Sequence, residues 1–148
     1  MEIRAARASD SSIIASMESE YFSDSWSERD VLSYICSEAS MCYVAVREGE
    51  ICGYMLGRKI LPEGEIYRVA VRADMRERGI GYRLLSGALE SELLLGVETV
   101  FLEVREGNLA ARRLYLAAGF EEISVRKNYY KNPTENAVIM IKGVKCQY

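Results

Sequence analysis

The stretch Arg76-Glu77-Arg78-Gly79-Ile80-Gly81 carries the most information about the fold of this chain. It follows an apolar run at residues 66–71 that is typical of a buried strand, and it opens a helical pattern over residues 80–95. The first backbone N–H groups of a helix have no intrahelical partner, and the helix dipole attracts negative charge. Glycine also lets a phosphate approach the backbone closely. The stretch therefore predicts a phosphate or pyrophosphate site, with a plain turn as the alternative.

The length and composition favour one domain. The chain has 148 residues, of which 49% are hydrophobic and 28% charged, as in ordinary soluble globular proteins. No apolar run approaches the ~20 residues that a transmembrane helix requires. The first residues have neither the basic region nor the apolar core of a signal peptide. We therefore expect a single cytoplasmic domain over residues 1–148.

The net charge of −3 is unevenly distributed, because residues 1–50 carry −6 and residues 101–148 carry +3. An acidic chain is a poor candidate for binding nucleic acid, whose phosphates attract basic proteins. The acidic N-terminal third is suited to attracting a basic peptide, with a solvated helix face as the alternative. We therefore expect neither nucleic acid nor a membrane as a partner.

The chain has no histidine, which excludes catalysis by Ser-His-Asp and Cys-His sets and by histidine acid–base chemistry. Any proton transfer must use Glu, Asp, Tyr, Lys, Cys or water. The four cysteines contain no Cys-x-x-Cys pair, so that both a zinc site and a disulfide framework are disfavoured. We expect no metal site and four buried free thiols. These cysteines are Cys36, Cys42, Cys52 and Cys146.

Apolar periodicity predicts four helices and about seven strands. The helices are expected over residues 9–22, after an N-cap at Ser27, over residues 80–95, and from an N-cap at Asn108 to a stop at Gly119. The third is expected to pack through Leu84, Leu85, Ala88, Leu89 and Leu93. The strands are expected over residues 2–6, 41–47, 51–60, 65–71, 99–104, 121–128 and 137–142. Strands alternating with helices between antiparallel hairpins predict an α/β fold of the α+β type with a mixed sheet.

Glu103 stands out because it lies inside an apolar run, residues 100–104, that is typical of a buried strand. A carboxylate in such a strand is costly unless it is paired or functional. One interpretation is a general base. The alternative is an ion pair with Arg105 or with another arginine at the end of the sheet.

Asn108 and Tyr115 are seven residues apart, which places them on one face of the fourth helix. Taken singly, Asn108 is explained as a helix cap and Tyr115 as a core aromatic residue. Their spacing from Glu103 is more informative. Within one strand, turn and helix, it brings a candidate base, an amide and a phenol close together.

These motifs resemble those of a known superfamily. The Arg-x-x-Gly-x-Gly pattern matches neither the dinucleotide fingerprint nor a Walker loop, and it is similar to the acetyl-CoA pyrophosphate loop of the GNAT acetyltransferases. Within that superfamily, the likeness to the bacterial ribosomal-protein alanine N-acetyltransferases, the RimI group, covers nearly the whole chain. The stretches that carry it are Phe22-Ser23-Asp24-Ser25-Trp26-Ser27-Glu28, Leu102-Glu103-Val104-Arg105-Glu106-Gly107-Asn108, Leu114-Tyr115-Leu116-Ala117-Ala118-Gly119-Phe120 and Arg126-Lys127-Asn128-Tyr129-Tyr130, with Pro133, Glu135 and Met140.

The resemblance implies the GNAT fold and a reaction. An enzyme of this kind transfers acetyl from acetyl-CoA to the N-terminal α-amine of a protein by direct attack in a ternary complex. The implied target is the N-terminal alanine of the eighteenth small-subunit ribosomal protein. A GNAT enzyme acting on a small amine or on a protein lysine, and a non-catalytic acyl-CoA-binding module, are the alternatives.

The resemblance also implies roles for individual residues. Glu103 would be the general base and Tyr115 the general acid. Asn108 and the backbone of Val69, Ala70 and Val71 would bind acetyl-CoA, and the pyrophosphate would lie on Arg76, Glu77, Arg78, Gly79, Ile80, Gly81 and Tyr82. Tyr129, Tyr130 and Glu135 are candidates for binding the peptide N-terminus, with core or hairpin packing as the alternative.

Four positions depart from the pattern of this group. Arg68 stands where asparagine is common, Ser25 where proline is usual, Asn136 where an acid is usual and Gly107 where serine is usual. None of them is the expected base or acid. Arg68 and Asn136 are the two that we expect to affect peptide recognition.

Overall fold

The computed structural model describes residues 1–91 and 94–144. Seven strands and four α-helices lie in this part of the chain, as the periodicity predicts. In chain order they are β1 (Glu2–Ala5), α1 (Ser11–Tyr21), α2 (Glu28–Ile35), β2 (Tyr43–Arg47), β3 (Glu50–Ile60), β4 (Glu63–Val71), α3 (Ile80–Leu89), β5 (Thr99–Arg105), α4 (Leu109–Ala117), β6 (Glu121–Tyr130) and β7 (Glu135–Gly143). Short 3₁₀ turns at Ala8–Asp10 and Ala73–Met75 precede α1 and α3.

The strands form one mixed sheet in the order β1-β2-β3-β4-β5-β7-β6. Four antiparallel strands precede the crossover through α3, and three antiparallel strands follow it. The pair β4–β5 is parallel, as expected for two strands joined by a crossover helix. The predicted α/β fold with a mixed sheet is confirmed.

The sheet has an apolar layer on each face. Along β5, Val100, Leu102 and Val104 are buried with residues of α3 and α4, so the alternate residues of β5 face the other side. On that other side, Ile14 and Met17 of α1 and Val31 of α2 pack against β2 and β3. We call the first side the α3/α4 face and the second the α1/α2 face.

Several local signals act as predicted. The Ser27 hydroxyl accepts a hydrogen bond from the Asp30 N–H at 3.1 Å, and Asn108 Oδ1 accepts one from the Ala111 N–H at 3.2 Å. Gly119 ends α4 with a φ of 98°. These signals are readable because each involves residues a few positions apart in the chain.

The third helix is shorter than predicted, because α3 ends at Leu89 rather than at residue 95. After it the chain must return to the sheet, and Gly96 makes that turn with a φ of 85°. Leu94 and Val97 still reach the core from the turn. A run of leucines therefore indicates burial correctly but not the helix end. Leu93, predicted to pack from this helix, lies outside the described residues.

The cysteines divide into two kinds. Cys42 and Cys52 are buried free thiols as expected, and burial raises the pKa of both. Cys36 is exposed, which corrects the expectation for that residue, because it caps the end of α2 outside the core. Cys146 lies outside the described residues. None of the helices in residues 1–91 and 94–144 is both long enough and apolar enough to span a membrane.

Candidate active site

The sheet opens between β4 and β5. Their pairing starts at Glu63 with Thr99 and ends at Ile66 with Leu102. Beyond that point β4 pairs with β3 alone, and β5 pairs with β7 alone. A β-bulge at Tyr67 adds to the separation, since two residues of β4 there oppose one residue of β3. The result is an opening lined by the backbone of residues 67–71 on one side and residues 103–105 on the other.

Glu103 lies at this opening on the α1/α2 face, because its neighbours Leu102 and Val104 are buried on the opposite face. Its side chain is 19% exposed. Glu103 Oε1 lies 3.7 Å from Arg126 Nη1, so its ion-pair partner is Arg126 rather than Arg105. The interaction of the Tyr129 hydroxyl with this carboxylate is the main reason that the pKa of Tyr129 is raised. Glu103 is therefore partly paired and still reachable by solvent.

Tyr115 approaches the opening from the α3/α4 face. It is 5% exposed, and its ring packs edge-on against Phe120 with the centroids 5.8 Å apart. Burial raises the pKa of Tyr115, with a further contribution from Tyr130 and an opposing one from Arg68. Its hydroxyl is therefore close enough to Tyr130 and Arg68 for their charges to affect it, and it stays protonated at neutral pH.

The loop before α3 has the backbone shape of an anion site. Glu77 and Gly79 have positive φ angles of 62° and 75°, a pattern that turns successive N–H groups towards a common point. The first turn of α3 contains no acidic residue and its N-cap has no side-chain bond, so no side chain of the helix start caps the first N–H groups. Ile80 is buried and anchors the helix start. These features support the predicted phosphate site, which stays a prediction.

Arginine side chains surround the start of α3, although the loop itself contains the acidic Glu77. A cavity of about 290 Å³ at the start of α3 is lined by Arg47, Arg78 and Arg83, together with Met1 and Ile80. Tyr82 is exposed on the first turn of α3, and Gly81 lets α3 approach α4, since a Cβ there would lie 3.3 Å from Leu114. The loop thus combines free N–H groups with arginine side chains, which is the chemistry that binds a pyrophosphate.

The remaining candidates for cofactor binding are the backbone of residues 69–71 and the Asn108 side chain. Some of their polar groups already bond within the protein, and the others are available to a ligand. Val69 and Val71 turn their side chains to the α3/α4 face and Ala70 to the α1/α2 face, so their backbone borders the opening. The Val71 carbonyl accepts a hydrogen bond from Arg76 Nε at 3.0 Å. Asn108 Oδ1 caps α4, so a contact from Asn108 to a cofactor would have to come from its Nδ2 group.

The three candidates for binding a peptide differ in their surroundings. Tyr129 is 43% exposed, and Tyr130 packs against it with the ring centroids 5.1 Å apart. Burial and the Glu103 carboxylate raise the pKa of Tyr130 to about 12. Glu135 is already engaged, because its Oε1 lies 3.3 Å from Arg105 Nη1 and its Oε2 accepts from the Gly107 N–H at 2.6 Å. Glu135 therefore has polar partners within the protein, and its part in peptide binding stays a prediction.

A comparison with known proteins agrees with this geometry. The family model described as Acetyltransferase (GNAT) family matches residues 12–120. The chain belongs to the GNAT acetyltransferase family. This acetyltransferase is 32% identical over 117 residues to the [ribosomal protein bS18]-alanine N-acetyltransferase of Escherichia coli, covering 78% of each chain. It is 31% identical over 144 residues to an uncharacterised N-acetyltransferase of Methanocaldococcus jannaschii, covering 96% of this chain and 91% of that one.

Solved structures similar to this acetyltransferase share its whole fold. The ribosomal-protein-S18-alanine N-acetyltransferase from Escherichia coli superimposes with a TM-score of 0.87 at 29% identity, over 99% of this chain and 96% of that one. Ard1 from Thermoplasma volcanium gives a TM-score of 0.85 at 25% identity, covering 97% of each chain. Arabidopsis thaliana NAA60 in complex with acetyl-CoA gives 0.86 at 16% identity, over 97% of this chain and 99% of that one, which shows a shared fold.

The sequence patterns did not single out one buried carboxylate of this acetyltransferase. Glu18 of α1 is fully buried, its Oε2 accepts from the Tyr54 hydroxyl at 2.5 Å, and its Oε1 accepts from the Trp26 N–H at 3.1 Å. Arg68 Nε lies 3.6 Å from the same carboxylate. A signal was present, because Glu18 stands four residues after Ile14 in the apolar stripe of its helix.

Arg68 ties the loop between α1 and α2 to the sheet of the acetyltransferase. Its guanidinium lies over the Phe22 ring at 4.0 Å and 3.4 Å from both the carboxylate and the backbone carbonyl of Asp24. Next to this loop, the rings of Trp26, Tyr34 and Tyr67 form one aromatic cluster. An asparagine at position 68 is too short to make all of these contacts. The arginine at position 68 therefore fixes the loop between α1 and α2 beside the opening, which an asparagine could not do in the same way.

The departure at Asn136 also has a structural explanation. Asn136 Oδ1 accepts from the Asn128 N–H at 2.9 Å, where Asn128 has a φ of 53° in the irregular part of β6. Asn136 Nδ2 lies 3.5 Å from Glu106 Oε1, a contact that a carboxylate at this position would make repulsive. Asn136 thus fixes the bend that leads into Tyr129. Nothing in the structure explains why Ser25 stands in place of proline.

Replacing Tyr54 with phenylalanine is expected to lower the free energy of unfolding by about 1–3 kcal/mol, because it leaves the buried Glu18 carboxylate one hydrogen bond short. Urea unfolding followed by circular dichroism measures the change. Tyr82→Phe is the matched control, since Tyr82 is 47% exposed and its loss should shift stability by less than about 0.5 kcal/mol. Equal effects of the two substitutions would contradict a stabilising role for the Tyr54–Glu18 bond.

Proposed function

We propose that this GNAT acetyltransferase transfers the acetyl group of acetyl-CoA to the N-terminal α-amine of a protein. The observation that carries the proposal is the arrangement of Glu103 and Tyr115, a carboxylate and a protonated phenol on opposite faces of one opening in the sheet. Acetyl-CoA would lie beside them, because the loop before α3, which we assign to its pyrophosphate, continues directly from the open edge of β4. A binding module without catalysis would not require either side chain.

The chemistry of the acceptor favours an α-amine over a lysine. An α-amino group has a pKa of about 7.7–8.0, whereas that of a lysine side chain is about 10.4. Deprotonation at neutral pH therefore costs roughly 1 kcal/mol for the α-amine and more than about 4 kcal/mol for lysine. A single carboxylate such as Glu103, acting directly or through one water, is therefore better suited to deprotonating an α-amine than a lysine.

The steps balance with these two residues. Glu103 takes a proton from the ammonium group, and the free amine attacks the thioester carbonyl, forming the C–N bond. Backbone N–H groups of residues 69–71 would hold the developing oxyanion. The C–S bond then breaks, and the thiolate, whose thiol has a pKa of about 8–9, takes the proton of Tyr115. The new amide nitrogen still carries one proton too many, and that proton passes through water to the Tyr115 phenolate, while Glu103 releases its own proton to solvent. Burial raises the pKa of Tyr115, so its hydroxyl keeps its proton until the leaving thiolate, a stronger base than the thioester sulfur, forms beside it.

The acceptor side supports a protein substrate. Asp24, Arg126 and Tyr129 are exposed where they border the opening on the α1/α2 face. A cavity of about 540 Å³ lies elsewhere, between α1 and the β2–β3 hairpin, and is lined by other residues. An open border leaves room for the chain that follows a protein N-terminus, whereas a small amine needs no such exit. Similarity to the bS18-alanine N-acetyltransferase makes the N-terminal alanine of ribosomal protein bS18 the specific target that we propose.

Two matched peptides test this function. One carries the first residues of bS18 with a free alanine amine, and the other has the same sequence with a blocked N-terminus and one free lysine. Acetyl transfer from acetyl-CoA to the first alone is the expected result, followed by mass spectrometry. Transfer to the lysine peptide alone would assign the enzyme to the lysine-directed alternative. Transfer to neither, with acetyl-CoA still bound, would reject a protein α-amine as the substrate.

Replacing Gly79 with alanine is expected to raise the KM for acetyl-CoA by about five- to thirtyfold, because a left-handed backbone at a non-glycine residue costs about 1–2 kcal/mol. The effect comes from backbone strain, since a Cβ at Gly79 would meet no atom within 4 Å. Gly49→Ala is the matched control, because Gly49 has a φ of 79° and equally open surroundings in the β2–β3 hairpin. A similar KM in both variants would argue against a pyrophosphate site at Gly79.

A further inference from the structure

A second carboxylate borders the opening beside Glu103. Glu65 lies on β4, one residue before the last pair that joins β4 to β5. Its neighbour Ile66 is buried on the α3/α4 face, and a Cβ on its other neighbour, Gly64, would contact Met41 and Val97 on that same face. The side chain of Glu65 therefore points to the α1/α2 face, as that of Glu103 does.

The register of the two strands brings these carboxylates together. Glu65 pairs with Phe101, and Glu103 is the next residue after Phe101 on the same face of β5. Glu65 is therefore a diagonal neighbour of Glu103, at the point where the strands begin to separate. The two side chains are close enough that their charges interact.

The pair is flanked by arginines on its outer sides. Arg58 Nε lies 4.0 Å from Glu65 Oε2, and Arg126 Nη1 lies 3.7 Å from Glu103 Oε1. Tyr67 and Tyr129 are the other ionisable groups that interact with Glu65. The Glu65 side chain is 25% exposed, so a substrate can reach it.

We propose that Glu65 and Glu103 together bind the α-ammonium group of the substrate, so that Glu65 is a second residue in contact with the acceptor. This inference rests on the proposed function. Glu65 holds the cation while Glu103 removes its proton. Burial and the charge of Glu103 raise the pKa of Glu65 against the opposing effect of Arg58. A bound ammonium relieves the repulsion between the two carboxylates, so that binding is stronger than either carboxylate alone would give.

The test compares two bS18 N-terminal peptides that differ only in the α-amine, which is replaced by hydrogen in the desamino form. Binding is measured by calorimetry with CoA present. The wild-type enzyme is expected to prefer the amino peptide, and Glu65→Gln to reduce that preference by roughly tenfold, the value of one charge-assisted hydrogen bond. Binding of CoA should not change. Arg58→Gln is the matched control, because it breaks the same ion pair but leaves the carboxylate in place.

A pH series separates binding from a structural role. As the pH falls through the raised pKa of Glu65, the carboxylate is neutralised and the wild-type preference for the amino peptide should decrease. In Glu65→Gln that part of the pH dependence should be absent. An unchanged preference in Glu65→Gln, or an equal loss in Arg58→Gln, would overturn the proposal. If the wild-type enzyme acetylates no α-amine peptide, the proposed function fails instead.

Discussion

Glu103→Gln is expected to lower kcat for the bS18 peptide by at least about a hundredfold, the usual range for loss of a general base. The amide keeps the size of the side chain and can still accept a hydrogen bond from Tyr129, but it cannot take a proton from the ammonium group. The KM for acetyl-CoA should stay within about twofold, because the loop that we assign to the pyrophosphate is unchanged. Steady-state release of free CoA thiol measures both constants.

Arg126→Gln serves as the control for the charge environment of Glu103. It removes the ion-pair partner at 3.7 Å and leaves the carboxylate in place. Because Arg126 is 61% exposed, its loss should change kcat by less than about tenfold. If kcat falls no further in Glu103→Gln than in Arg126→Gln, Glu103 is not the general base.

Tyr115→Phe is expected to lower the maximal rate at least about tenfold while acetyl-CoA affinity is largely kept. The phenylalanine ring preserves the packing against Phe120, and only the protonated hydroxyl is lost from the opening. Without it, the thiolate must leave unprotonated or take its proton from water. Pre-steady-state measurement of acetyl transfer, with acetyl-CoA binding followed separately, distinguishes a slower chemical step from weaker binding.

Tyr130→Phe is the matched control for Tyr115→Phe. Tyr130 is half-buried, and the charge interactions of its hydroxyl extend to both Glu103 and Tyr115. If any phenol near the opening can protonate the thiolate, Tyr130→Phe and Tyr115→Phe should lower the maximal rate by similar factors. A full rate in Tyr115→Phe would show that the acid is another group.

Much of the fold could be predicted because its signals are local. The caps at Ser27 and Asn108 and the stop at Gly119 each depend on residues a few positions apart. Glu103 was also identifiable, since a charged residue in an apolar strand contradicts its surroundings. The end of α3 was not, because the return of the chain to the sheet depends on tertiary packing beyond Leu89.

The partners of the charged residues could not be predicted, because they come from distant parts of the chain. Glu18 and Arg68 are fifty residues apart, and the ion pair at Glu103 comes from β6 rather than from the adjacent Arg105. The position of Glu65 beside Glu103 depends on the parallel register across the α3 crossover. Periodicity reports which face a residue occupies within its strand, but register reports which residues meet.

Because β4 and β5 pair only over a short stretch, we expect bound acetyl-CoA to stabilise the native protein. Beyond Ile66 and Leu102 the inner edges of both strands lack the hydrogen-bond partners that a continuous sheet would supply. A molecule that fills this gap and bonds to the backbone completes the ladder, and it binds the native chain but not the unfolded one. By mass action, acetyl-CoA at a hundred times its dissociation constant would add about 2.7 kcal/mol to the native state. The midpoint temperature of thermal unfolding is therefore expected to be highest when acetyl-CoA is bound.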